Sequence, residues 1–194
     1  MMKRQFVVIA LVLAVVGLIA AGGDSQAQTK ITKPSTGLPY KITKSGSYFL
    51  GSNLAVTTKT TTAILVSASN VTINLNGFVI SGLGGNSTGV GIDASAATGV
   101  IIANGTITGY GIGIKLNSTS TVQNVQIYSN NGDGIAVSGS SCYVSNSVIT
   151  GNSGTGLDFA DSTSGYLSNV LNNSSNVVEG TNMGNNVCSG TICP

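Results

Sequence analysis

The sequence predicts an all-β fold, a right-handed, single-stranded parallel β-helix of about six coils built on a repeat of ~22 residues. Three observations lead there. The pairs Gly91-Ile92, Gly113-Ile114, Gly134-Ile135 and Gly156-Leu157 recur at intervals of 22, 21 and 22 residues. A second series, Asn104–Ile107, Asn124–Ile127 and Asn146–Ile149, runs in step with them. Within each unit the apolar period is two, so Val90, Ile92 and Ala94 share a face, as do Ile112, Ile114 and Leu116. Such a unit is too small to bury its apolar face alone, and stacking equal units buries it.

Taken in chain order, residues 1–27 read as a secretory signal peptide. Lys3 and Arg4 precede the apolar run from Phe6 to Ala21, and Ser25-Gln26-Ala27 fits the small-residue cleavage rule. Residues 28–44, with Pro34 and Pro39, form an extended entry segment. The β-helix itself is expected over 45–180, with Ser47–Val56 and Ala63–Ile80 as its first coils. The repeat weakens at Val177-Val178, and residues 181–194 form a C-terminal cap. No window of the mature chain suits a helix, because Gly, Asn, Thr and Ser interrupt each one.

Composition closes several routes to chemistry. The 194 residues contain no His and no Trp, and 7% of them are charged. No Ser-His-Asp triad, His-ligated zinc or His general base can exist. After cleavage the chain keeps six Lys, five acids and no Arg, a net charge of +1, so no basic patch for nucleic acid is expected. Loss of the signal also leaves no segment for stable membrane insertion. Export makes thiols oxidisable, and Cys188 and Cys193 are close enough in sequence to close a disulfide loop. A C-x4-C pair without a further Cys or His nearby is a poor zinc site. Cys142 has no evident partner.

The position after each Gly-Ile pair should point outward. Down the stack that column reads Asp93, Lys115, Ala136, Asp158 and Glu179. Asp93 and Lys115 are expected to form an exposed ion pair on neighbouring coils, worth about 0–1 kcal/mol. Asp158 and Glu179, with Asp161 close in sequence, make a candidate acidic cluster. Carboxylates held together repel, raise one another's pKa and attract a cation, for which Ca²⁺ is the hard-ligand choice. A pair at ~5 Å would also suit retaining chemistry on a glycosidic bond. Asp133, inside Asn-Asn-Gly-Asp-Gly, is expected to serve a turn.

The run Asn70–Gly82, preceded by Gly46–Leu54, resembles the opening of secreted right-handed parallel β-helix repeat proteins of the pectate-lyase-like superfamily. The units Asn104–Gly109, Asn124–Asn130 and Asn146–Asn152 resemble its ordinary coils, and the likeness spans about residues 45–180. The resemblance implies the fold and a carbohydrate context. Its catalytic patterns do not carry over: the lyases use acids that hold Ca²⁺ with an Arg or Lys base, the hydrolases several Asp with a His. The mature chain lacks both Arg and His and leaves little length for cleft-building loops. The expectation is therefore a secreted, non-catalytic β-helix with no cofactor, binding or decorating extracellular polysaccharide or the cell surface. The alternative is a Ca²⁺-assisted lyase or glycosidase acting on acidic polysaccharide through Asp158, Asp161 and Glu179, with Lys115 as a further candidate base.

Overall fold

The computed structural model describes residues 27–35 and 37–193. The expected signal peptide therefore lies, but for Ala27, outside the described residues. The chain winds as a parallel β-solenoid, without helix among the described residues. Each coil lays one short strand on each of three faces.

The first face is a seven-stranded sheet: Tyr40–Ile42, Ile64–Val66, Val90–Asp93, Ile112–Leu116, Ile135–Val137, Thr155–Phe159 and Ser175–Val178. The second face runs from Thr29–Ile31 and Gly46–Leu50 through Val71–Asn74 to Gly165–Leu167 and Thr181–Asn182. The third runs from Leu54–Ala55 through Val79–Ser81 to Val170–Asn172 and Val187–Cys188. In two central coils the strands Ile101–Thr108 and Thr121–Tyr128 pass from the second face to the third without a break.

Seven strands on the first face make seven coils, one more than the repeat predicts. Both ends contribute. Tyr40–Ile42, expected in an entry segment, pairs with Ile64–Val66 as the first strand of its sheet. Thr181–Asn182 and Val187–Cys188, expected in a cap, complete the last coil. The cap proper is Thr191–Ile192, which turns back antiparallel on Val187–Cys188.

Strict register produces three inward columns. On the first face Tyr40, Ile64, Ile92, Ile114, Ile135, Leu157 and Val177 stand one above another. On the third the column is Leu54, Ile80, Ile107, Ile127, Ile149, Leu171 and Cys188. On the second it is Tyr48, Ile73, Ile102, Val122, Val144, Tyr166 and Asn182. The central members are fully buried. Each contributes about 1.5–3 kcal/mol relative to exposure.

The bends carry the polar sequence. Asn104, Asn124 and Asn146 turn the chain from the second to the third face at φ 64°, 54° and 51°, a left-handed conformation that Asn tolerates. Their side chains bond between coils only weakly, Asn124 Nδ2 lying 3.5 Å from Asn104 Oδ1. Stronger ladders run inside. Asn130 N and Nδ2 donate to Asn152 Oδ1 at 3.1 and 2.9 Å, and Asn152 repeats this on Asn173 at 3.1 and 2.8 Å. Ser147 N and Asn169 N donate in the same way to Asn169 and Asn186. A third ladder passes through Ser120, Cys142 and Ser164. These side chains satisfy backbone N–H groups that the bends take out of the sheet.

Tyr110 heads the Asn130 ladder through its backbone N–H, yet its ring enters the core. Its buried hydroxyl has no hydrogen-bond partner among the described residues, and burial holds its pKa far above the ordinary tyrosine value.

The glycine of the Gly-Ile pair has a different task from the bends, since no positive φ is involved. A Cβ on Gly113 would lie 2.5 Å from Gly134 O, and one on Gly134 would lie 2.7 Å from Gly156 O. The same Cβ on Gly134 would meet Ile149 Cγ2 at 2.6 Å. Glycine recurs here because backbone of the next coil occupies the space. Gly134→Ala is therefore expected to destabilise the protein by about 1–3 kcal/mol, read as a lower urea midpoint; an unchanged midpoint would show that the coils can move apart freely.

Candidate functional site

The outward column of the first face is where sequence and structure agree and then part. Asp93 pairs in register with Lys115, Lys115 with Ala136, and Ala136 with Asp158. Asp158 is then opposite Val178, and Glu179 falls one residue beyond the expected position. The cause is local. The bend between Val148–Thr150 and Thr155–Phe159 holds four residues, whereas the bend between Val170–Asn172 and Ser175–Val178 holds two. The shortened bend advances the last coil and sends Glu179 into a left-handed bend at φ 55°.

The acidic cluster consequently does not form. Asp161 Oδ1 accepts from Thr163 N and Oγ1 at 3.0 and 2.8 Å and closes its own turn. Glu179 borders a hollow at the C-terminal end of the solenoid with Tyr166, Val177 and Cys188. No group of three acidic, Cys or His side chains able to hold a metal occurs among the described residues. The acid that Asp158 senses is Asp133, whose Oδ1 accepts from Thr155 N on the next coil at 2.7 Å. Asp133 thus ties two coils together, a larger role than the single turn expected for it.

The expected ion pair is also absent, although its register is correct. Asp93 Oδ1 accepts from Ser95 N at 3.1 Å and from Ser95 Oγ at 2.6 Å. This local turn holds the carboxylate on its own coil, and no contact with the Lys115 ammonium is made. Cys188 and Cys193 are joined by a disulfide that fastens the antiparallel cap. Cys142 is buried and unpaired with another Cys; its Sγ donates to Asn117 O at 2.9 Å, and burial pushes its thiol pKa up. It fills a ladder position that Ser occupies in the adjacent coils, an equivalence the 22-residue spacing of Ser120, Cys142 and Ser164 already contained.

What remains on the first face is a hollow of about 300 Å³ lined by Ser95, Lys115, Leu116, Ala136, Val137, Ser138 and Asp158. It exists because Ala136 stands between two long side chains. Lys115 and Asp158 lie two coils apart, about 10 Å between backbones, and the short methyl leaves the space between them open. Both are half-buried, and neither has a hydrogen-bond or ion-pair partner among the described residues. Burial first, and then the Asp133 carboxylate, raises the pKa of Asp158. The hollow thus offers a cationic donor, a partly desolvated acceptor and the hydroxyls of Ser95 and Ser138 on a rigid floor.

Comparison of the chain with protein-family models, curated proteins and solved structures finds no match. The hollow must be read from its own residues.

The raised pKa fixes a sign. The folded state holds the Asp158 proton more tightly than the unfolded chain, so this group favours folding at acid pH and opposes it once ionised. Asp158→Asn is expected to raise the neutral-pH melting temperature by about 1–2 °C. The gain should vanish below the ordinary carboxylate pKa of about 4. A melting temperature lowered at neutral pH would contradict this reading of the site.

Proposed function

We propose that the protein is a secreted, non-catalytic β-solenoid that binds extracellular polysaccharide through its first face. The hollow over Ala136 carries the reading: an ammonium and a half-buried carboxylate, both without partners among the described residues, flank an open floor. Sugar hydroxyls both donate and accept hydrogen bonds. Asp158 accepts from them, Lys115 donates to them or to a uronate carboxylate, and Ser95 and Ser138, whose hydroxyls donate to Asp93 Oδ1 and Leu116 O, accept.

The support extends along the axis. A coil rise of about 4.8 Å is comparable to the length of one sugar residue, so a glycan lying along the face meets an equivalent outward position at each step. Few aromatic rings are available for stacking, which makes hydrogen bonding and charge the recognition chemistry. The secretory signature of residues 1–27 and the resemblance to pectate-lyase-like repeat proteins support a polymer outside the cell, in a matrix or at a surface.

The lyase or glycosidase alternative rested on Asp158, Asp161 and Glu179 acting together. With Asp161 closing a turn and Glu179 at the end of the stack, that constellation has no geometry to support it.

Isothermal titration against neutral and uronic-acid polysaccharides at low ionic strength tests the proposal. Binding to at least one class is expected. Lys115→Ala and Asp158→Ala should each weaken it about tenfold, equivalent to about 1.4 kcal/mol, without loss of the β circular dichroism signal. A blank panel would overturn the proposal, as would variants that bind like the native protein. Release of reducing or unsaturated ends would overturn its non-catalytic part.

A further inference from the structure

The few charges are sorted along the axis by sign. Lys30, Lys33, Lys41, Lys44 and Lys59 are all exposed, and all belong to the first coils. Asp133, Asp158, Asp161 and Glu179 belong to the last three. Only Asp93 and Lys115 lie between, and they compensate each other. One end of the solenoid is therefore basic and the other acidic, although the described residues, with six Lys and five acids, carry a net charge of only +1.

The same two ends carry open strand edges. On the first face Tyr40–Ile42 has a neighbour on one side only, and so does Ser175–Val178 at the far end. On the second face the terminal strands are Thr29–Ile31, one coil beyond Tyr40–Ile42, and Thr181–Asn182. Only the third face is closed at the C-terminal end, by Thr191–Ile192. Apolar side chains sit at both edges: Leu38 and Tyr40 at the basic end, and Val177, Val178 and Met183 at the acidic end, the last two 41% and 56% exposed.

We propose that copies of this chain associate head to tail, the acidic last coil of one resting on the basic first coil of the next. Translation along the axis brings two parallel edges together with the sense of pairing already used inside the molecule. On the second face the basic edge is Thr29–Ile31, one coil beyond Tyr40–Ile42, so the joint sets Thr181–Asn182 of one copy against Thr29–Ile31 of the next, with Val177 and Tyr40 at the two ends of the same inward column. The same joint brings Glu179 to the end that carries Lys30 and Lys41. A lysine on an edge strand ordinarily repels further pairing. Here the opposite end supplies the carboxylates that neutralise it. Head-to-head and tail-to-tail contacts oppose like charges, so orientation is selected electrostatically. The contact is heterologous and does not close, so it propagates as a filament.

Sedimentation velocity of the purified protein over a range of concentrations and NaCl tests this. At about 20 mM salt the weight-average mass is expected to climb with concentration past the dimer. At about 0.5 M salt, where the Debye length is only a few ångströms, the association constant should fall at least about tenfold. The double variant Val178→Lys, Glu179→Lys should not assemble, nor should Lys41→Glu, Lys44→Glu, and an equimolar mixture of the two should assemble again. All four positions are exposed, and unchanged circular dichroism verifies folding. A mass that stays monomeric at every concentration would overturn the proposal. So would assembly that stops at two copies, or assembly that charge reversal leaves untouched.

Discussion

Everything in this molecule depends on one constraint: each coil must retrace the backbone path of the coil beneath it. A β-solenoid has no second layer to absorb a misfit, so a residue's surroundings are set mainly by its equivalents one coil away. Where the path repeats, Ile stands on Ile, Asn on Asn and Gly on Gly. The backbone hydrogen bonds run along the axis on all three faces, and the buried Asn and Ser ladders continue them through the bends. The glycine column shows how tight the fit is, for a single methyl group there would enter the carbonyl of the next coil. A spacing of 20 residues instead of 21 between the last two coils is enough to keep Glu179 off the outward column.

The proposed function follows from the same constraint. Outward side chains are held at fixed intervals on a rigid face, and the few that carry charge stand out against Ser, Thr and Asn. The hollow of the first face requires only that a short residue, Ala136, fall between two long ones. Its floor is sheet, so a ligand does not have to order a loop when it binds. The ends obey the same logic in reverse. Coils pair with their neighbours on both sides, whereas on the first face the strands of the first and last coils have a neighbour on one side only.

Much of the fold was legible because periodicity is a sequence property. The Gly-Ile spacing located the first face, the Asn-x-x-Ile spacing located the third, and alternation identified which side chains turn inward. Coil number was harder to read. Tyr40–Ile42 lacks the repeat's glycine, and after Asn185 the inward position falls to Cys188 where earlier coils have Ile or Leu, so only their pairing shows these segments to be strands. The role of the recurrent glycine was also hidden, because close backbone approach and left-handed φ leave the same residue in the sequence. The site was legible by position and not by partner. Lys115 and Asp158 were rightly placed on one column, but Asp93 binding Ser95, and a bend two residues shorter before Ser175, are matters of local geometry. The ladder through Cys142 escaped notice because Cys and Ser look unlike until the backbone N–H they both serve is seen.

Backbone hydrogen exchange, resolved by residue, tests most directly whether coil-on-coil register holds the molecule together. The amides of Ile92, Ile114, Ile135 and Leu157 should exchange slowest and close to the rate set by global unfolding. Protection should fall away coil by coil toward Tyr40–Ile42 and toward Ser175–Val178, the two ends of the stack. Amides of the central coils that exchange as quickly as those at the ends would contradict it.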